Sequence, residues 1–168
     1  YACMYRDVRS AVDLCHRDGT LKRMVAKDPS RYINEDLAIV PMLEMIRKSG
    51  RSTFLVTNSL WDYTDVVMNY LCGPYTSDVA SSHNHKWLGY FDVVITGSSK
   101  PGFFHDGNRA GLFEVELDSG KLINADLQIG SPRSDQQPSR PIHKVYQVLY
   151  VGDHIYGDIL RSKKVLEY

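Results

Sequence analysis

With 168 residues the chain is long enough for one domain with a buried core. Its 20 basic side chains balance 20 acidic ones, which excludes a global field that would attract nucleic acid or an anionic membrane, so local groups must hold any anionic ligand. No apolar run is long enough to span a membrane, and three cysteines without CxxC spacing predict neither a disulfide framework nor a zinc site. The expected compartment is the reducing cytoplasm.

The N-terminal part of the chain is predicted to be helical. Apolar side chains recur at helical spacing over residues 5–27 and are interrupted at Gly19, which predicts a helix, a glycine break and a second short helix. Asn34, which precedes two acidic residues, has the pattern of an N-cap. The amphipathic run 37–48 that follows is predicted to form a helix closed by Gly50.

Two apolar runs in the middle of the chain predict strands. Residues 54–56 form a short buried strand that ends in a polar Thr-Asn-Ser segment, and residues 61–72 then predict a helix stopped by a Gly-Pro pair. Residues 91–96 predict a second apolar strand, which breaks at a Gly-Ser-Ser-Lys-Pro turn.

The C-terminal part predicts a hairpin and one more strand. Residues 112–117 and 121–125 alternate around an Asp-Ser-Gly turn, which is typical of a β-hairpin, and residues 128–141 are rich in Pro, Ser, Gln and Arg and are predicted to be a loop. The apolar run 148–151 predicts a buried strand, and residues 159–166 predict a short helix. Three buried strands that end in polar loops, with helices between them, predict a parallel α/β sheet with one functional edge.

The acidic turn GDHIYGD, residues 152–158, follows the last predicted strand directly. Ligands of open α/β sheets bind beyond the carboxyl ends of the strands. Asp153 and Asp158 would point roughly 140° apart on a helix, so at least one must lie in the loop if both face one ion. Mg²⁺ suits such a site, because it takes one or two carboxylates and completes its shell with water and phosphate. Alternatively, either aspartate caps the following helix.

These strand ends resemble motifs of the haloacid-dehalogenase (HAD) superfamily of phosphotransferases. FLVTNS is similar to its second motif, SSKPGFF to its third and YVGDHIYGD to its fourth. The match is closer to the cytosolic purine (IMP/GMP-type) 5′-nucleotidase family, which carries a YRDVRxAVD…H helix, TNSxxxYTD, KPxFF and GDHIxGDIL in this order. The resemblance covers nearly the whole chain and implies an α/β fold with a HAD-like Rossmannoid parallel sheet and flanking helices.

The resemblance implies hydrolysis of a purine nucleoside monophosphate through an aspartyl-phosphate, with Mg²⁺ as cofactor. Thr57, Asn58 and Ser59 would hydrogen-bond the phosphate, although they could equally cap a helix. Lys100 would stabilise charge on the transferring group, although a lysine before a proline turn is more often solvated. Asp153 would ligate Mg²⁺, and Asp158 would act from outside the metal's immediate shell.

The base and nucleotide contacts of the family lie on the first helix and just after it. Arg9, Asp13 and His16 share one helix face at i, i+4 and i+7, and together with Lys22 they stand at matching positions. The alternative for Arg9 and Asp13 is an ordinary surface ion pair. Arg17 stands where the family often has an aromatic residue.

The chain departs from the family in ways that predict an incomplete fragment. No Asp-x-Asp nucleophile motif occurs in it, and the helix expected before the last strand is missing at the junction of Gln147 and Val148. The whole chain, 1–168, is therefore expected to be a partial HAD-like core that lacks its central nucleophile strand and a crossover helix. Residues 1–50 would border the cap and base pocket, and residues 51–168 would carry the phosphate and metal loops.

The isolated chain is expected to be inactive, because the attacking carboxylate is absent. The intact protein would be the hydrolase, with no nucleic-acid or membrane partner, and the resemblance implies a homo-oligomer as its assembly. Two alternatives stay open: a non-catalytic module that binds a nucleotide, a phosphate or a partner chain, and a chain whose missing strand comes from another polypeptide.

Overall fold

The computed structural model describes residues 1–73, 85–104, 113–117, 119–124 and 148–160. The chain divides into two units, Tyr1–Thr96 and Gly97–Tyr168. Among the described helices, none combines the length and the apolar character that crossing a bilayer requires.

The first unit begins with helices, as predicted: α1 (Ala2–Arg17), α2 (Thr20–Lys27), the short α3 (Pro29–Tyr32) and α4 (Ile39–Lys48). The predicted glycine break between the first two is confirmed. Gly19 adopts φ +76°, which favours glycine, and the Asp18 carboxylate accepts a hydrogen bond of 2.8 Å from the Thr20 amide.

The predicted cap of α4 is wrong. Ala38, not Asn34, is the N-cap residue, and no described side chain caps the helix; the Asp36 carboxylate accepts a hydrogen bond of 2.9 Å from the Ala38 amide directly before it. Asn34 lies too far ahead of Ile39 to reach the first helical amides. Gly50 follows the helix with φ +77°, as its position predicted.

The sheet of the first unit is parallel, as predicted, but the prediction that its strands are buried is wrong, because Phe54 and Val93 are 38% and 51% exposed and the other strand residues are half-buried. Strand β1 (Phe54–Val56) pairs with β2 (Val93–Ile95), and Phe54 lies opposite Val93. Between them the chain runs through α5 (Trp61–Cys72) and a 3₁₀ turn, Lys86–Tyr90, which together provide the crossover that parallel strands require.

A buried carboxylate ties α5 to the 3₁₀ turn. Asp65 is 4% exposed and its Oδ1 accepts hydrogen bonds from Trp87 Nε1 at 2.8 Å and Asn69 Nδ2 at 2.8 Å, and lies 3.0 Å from His85 Nδ1. Trp87 itself is 1% exposed and stacks on Trp61. The other buried side chains of hydrophobic residues described in this unit come from several helices: Val25, Leu43, Met68 and Tyr70.

A second polar cluster holds the amino ends of the two strands. Arg47 of α4 lies 3.0 Å from the Asp92 carboxylate, which also accepts a hydrogen bond of 2.8 Å from the Thr53 amide. The Thr53 hydroxyl donates to the Tyr90 carbonyl at 2.6 Å. These contacts lie at the amino ends of the strands, and the loops that follow the strands begin at their carboxyl ends.

The second unit contains a 3₁₀ turn, Gly102–Phe104, and the hairpin that the sequence predicted. Strand β3 (Phe113–Val115) pairs antiparallel with β4 (Leu122–Asn124), and Gly120 adopts φ +66° in the turn between them. A π-helix, Ile155–Leu160, begins within the acidic turn.

The prediction of a buried strand over residues 148–151 is wrong. Within the described part of the chain no strand pairs with this run, and Leu149 and Val151 are 84% and 82% exposed. Apolar composition predicts burial, but a strand exists only where a neighbour accepts and donates its backbone hydrogen bonds. The predicted loop 128–141 and most of the predicted helix 159–166 lie outside the described residues.

Candidate functional site

The Thr-Asn-Ser loop continues directly from β1 in the first unit. The Thr57 amide donates to the Ile95 carbonyl at 2.9 Å, and the Thr57 hydroxyl accepts from the Ser59 amide at 3.1 Å. Helix α5 begins at Trp61 after Leu60, with no side-chain hydrogen bond capping it among the described residues. The hydrogen bond to the Thr57 hydroxyl therefore stabilises the turn of the loop itself and does not cap α5. Asn58 is exposed at its tip.

In the second unit Lys100 and Asp158 form an ion pair, although their motifs are far apart in the chain. Lys100 Nζ lies 2.7 Å from Asp158 Oδ1, and their side chains are 14% and 6% exposed. Lys100 is therefore not the solvated lysine that its Lys-Pro context would allow. The described residues bring these two predicted site residues together.

Tyr150 completes a triangle with this pair. Its hydroxyl accepts a hydrogen bond of 2.8 Å from Lys100 Nζ and donates one of 2.8 Å to Asp158 Oδ1. Sequence reasoning missed Tyr150, which it placed in an apolar strand. The available signal was chemical, because a tyrosine inside a buried run needs a partner for its hydroxyl.

The triangle shifts the acidity of its members. Burial tends to lower the pKa of Lys100, but the hydrogen bonds with Asp158 and Tyr150 outweigh burial and raise it. Burial tends to raise the pKa of Asp158, and the hydrogen bonds from Lys100, Tyr150 and the His154 amide lower it overall. Burial raises the pKa of Tyr150. At neutral pH the cluster thus holds an ammonium, a carboxylate and a protonated phenol.

The acidic turn is shaped around the Asp158 carboxylate. A Cβ on Gly152 would lie 2.5 Å from the Asp158 Cβ, so only glycine fits there. The His154 amide donates to Asp158 Oδ2 at 3.2 Å, and His154 Nδ1 accepts from the Gly157 amide at 2.7 Å. His154 therefore organises the turn through its backbone amide and its ring nitrogen.

Asp153 stands apart from this network and is exposed. In the described ranges, no three His, Cys, Asp or Glu side chains converge as metal ligands. An exposed carboxylate still fits Mg²⁺, because this ion is commonly held by one or two carboxylates with water and phosphate in the other positions. Both Asp158 oxygens already accept hydrogen bonds, which suits a role behind the metal rather than on it.

The predicted base-pocket residues lie on α1 and α2. Arg9 Nε donates to both oxygens of Asp13, at 3.1 and 3.2 Å, so the two form the exposed i,i+4 pair that was the alternative interpretation. His16 is exposed in the last turn of α1. Lys22 Nζ lies 5.2 Å from the ring centroid of Tyr63, which brings it to the first turns of α5.

The hydrogen bonds described for the Thr-Asn-Ser loop lie within the first unit, and those of the Lys100–Tyr150–Asp158 triangle lie within the second. That Thr57, Lys100 and Asp153 surround one phosphate stays a prediction.

Comparison with known proteins gives a consistent family. The sequence profile of the 5′ nucleotidase family matches residues 1–168. A 5′-nucleotidase domain-containing protein of Dictyostelium discoideum is 26% identical over 167 residues, which is 96% of this chain and 27% of that protein. Human 5′-nucleotidase domain-containing protein 2 is 27% identical over 169 residues, 94% of this chain and 29% of that protein. The chain therefore spans less than a third of the length of these relatives.

Proposed function

Because the chain belongs to the 5′ nucleotidase family, we propose that the intact protein hydrolyses purine nucleoside monophosphates of the IMP and GMP type to nucleoside and phosphate. The observation that carries the proposal is the Lys100–Asp158 ion pair at 2.7 Å. The pair joins the SSKPGFF and YVGDHIYGD segments, which resemble phosphate-chemistry motifs. Its charged, largely buried ammonium is preorganised to stabilise negative charge on a phosphoryl group.

Each predicted site residue has a role in this proposal. The Thr57 hydroxyl, the Asn58 side chain and the Ser59 hydroxyl would donate to the phosphate at the carboxyl end of β1, where ligands of α/β sheets bind. Lys100 neutralises the transferring group. Asp153 would hold Mg²⁺, which when bound polarises a phosphoryl oxygen.

The fold and the base contacts belong to the same proposal. The parallel pair β1 and β2 with its helical crossover is consistent with a HAD-like sheet whose nucleophile strand lies outside residues 1–168. Arg9, Asp13, His16 and Lys22 would contact the nucleotide, and the exposure of the three on α1 leaves their polar atoms accessible.

The isolated chain is proposed to be inactive, because it contains no Asp-x-Asp nucleophile. Phosphate release from IMP, GMP and AMP with Mg²⁺ is expected to be absent for residues 1–168. Turnover by that chain alone would contradict the assignment of the missing nucleophile.

In the complete protein, Lys100→Ala and Asp153→Asn should each lower turnover by orders of magnitude while far-UV circular dichroism stays unchanged. Lys121→Ala, an exposed lysine in the hairpin of the same unit, is the matched control and should keep normal turnover. Normal rates for the Lys100 or Asp153 variant would refute the site.

A non-catalytic phosphate- or nucleotide-binding module is the second candidate, and the intact Lys100 triangle in a chain without a nucleophile favours it. In that case GMP with Mg²⁺ should raise the melting temperature of residues 1–168. No shift at saturating nucleotide would exclude this candidate.

A further inference from the structure

The Lys100 ammonium is held from two sides by groups of different chemistry. Asp158 Oδ1 lies 2.7 Å from Nζ and supplies a negative charge, whereas the Tyr150 hydroxyl lies 2.8 Å from Nζ and supplies a neutral acceptor. An ammonium has three N–H donors in tetrahedral directions. Two fixed acceptors therefore restrain the orientation of the ammonium.

The tyrosine is itself fixed in place. Its ring packs edge-on against Phe104 at a centroid distance of 5.4 Å, and Lys100 Nζ lies 5.6 Å from the Tyr150 ring centroid. Its hydroxyl donates to the same Asp158 oxygen that receives the ammonium. Tyr150 thus joins the lysine to the carboxylate through a hydrogen bond on each side.

We propose that Tyr150 is a positioning residue for Lys100, whose hydroxyl aims the ammonium at the phosphoryl group. This inference rests on the proposed function and adds to it a residue that acts through Lys100 rather than on substrate. Without the hydroxyl, the ammonium loses its neutral acceptor at 2.8 Å and can turn toward Asp158, which leaves less of its charge directed at the reacting group.

A displaced positive charge affects the transition state more than the bound substrate, because charge on the phosphoryl oxygens develops during transfer. Tyr150→Phe keeps the ring and its packing and removes only the hydroxyl. In the complete protein we expect kcat to fall about 10- to 100-fold, by the sensitivity of catalysis to small displacements, with KM changed less than about twofold. Tyr156→Phe, at an exposed tyrosine of the π-helix that carries Asp158, is the matched control and should leave both constants unchanged.

A double-mutant cycle distinguishes positioning from a general structural role. If Tyr150 acts through Lys100, Tyr150→Phe should cause no further loss of kcat in a Lys100→Ala background. Normal kcat in Tyr150→Phe, or the same fractional loss in both backgrounds, would overturn the inference. If instead Lys100→Ala itself turns over normally, the proposed function fails.

Should Tyr150→Phe fail to fold, Phe104→Leu gives the same test. It removes the ring that packs on Tyr150 and leaves all three polar groups in place. We expect a smaller loss of kcat that also vanishes in the Lys100→Ala background, and a loss that persists there would overturn the inference.

Discussion

Asp65→Ala should be among the most destabilising substitutions in the first unit. The variant removes the acceptor shared by Trp87 Nε1, His85 Nδ1 and Asn69 Nδ2. Trp87 is 1% exposed, so its indole N–H cannot turn to water once the carboxylate is gone.

The magnitude follows from how well each donor can reach water. A buried donor left without an acceptor costs about 1–3 kcal/mol, and the indole N–H of Trp87 would incur that cost in full. His85 and Asn69 are half-buried and would recover part of their loss by hydration. Together these terms predict a loss of about 2–4 kcal/mol, a large share of the roughly 5–15 kcal/mol that stabilises a typical domain.

Urea unfolding followed by circular dichroism and tryptophan fluorescence measures this loss. Asp62→Ala is the matched control, because it makes the same change on the exposed face of the same helix. It should cost less than about 0.5 kcal/mol, as is usual for surface substitutions. If the two variants unfold at the same urea concentration, the Asp65 cluster does not stabilise this unit.

Two further predictions concern the glycine and thiol chemistry of the chain. Gly152→Ala should displace Asp158 and lower the melting temperature, because the new Cβ would lie 2.5 Å from the Asp158 Cβ. Gly89→Ala is the control and should leave the melting temperature unchanged, because no atom lies within 4 Å of the added Cβ. Equal melting temperatures for the two variants would refute the close-packing argument. Burial raises the pKa of the Cys72 thiol to about 11. Its alkylation by iodoacetamide at pH 8 should therefore be far slower than that of exposed Cys15, and should accelerate as the pH rises toward 11. Equal alkylation rates for the two cysteines, measured by mass spectrometry at pH 8, would contradict this prediction.

Local signals in the sequence predicted the local structure. The break at Gly19, the stop after Cys72 and the hairpin turn at Gly120 are each encoded by residues within a few positions of the feature. The cap of α4 was misassigned because Asn34 has the chemistry of a capping residue, whereas the helix begins only at Ile39 and its N-cap is Ala38.

Features that depend on distant partners were harder to predict. The parallel pairing of β1 with β2 was predicted correctly, because a helix separates two apolar runs. Residues 148–151 have the same apolar character, yet no described strand pairs with them. Strand formation needs a neighbour in space, and composition alone carries no information about whether that neighbour exists.

The same limit applies to the site, where aspartates of identical chemistry have different roles. Asp65 and Asp158 are both 4% exposed, and each accepts a hydrogen bond from an aromatic side chain, Trp87 and Tyr150 respectively. Asp65 makes its hydrogen bonds within the packed first unit, whereas Asp158 pairs with Lys100, a cation that the motif pattern had assigned to phosphate chemistry. Burying a carboxylate costs free energy unless the carboxylate is paired, so the identity of its partner indicates the role of the aspartate. The partner of Asp158 is Lys100, to which we assign a role in phosphoryl transfer, and on that proposal Asp158 is the aspartate whose substitution should change reactivity rather than stability alone.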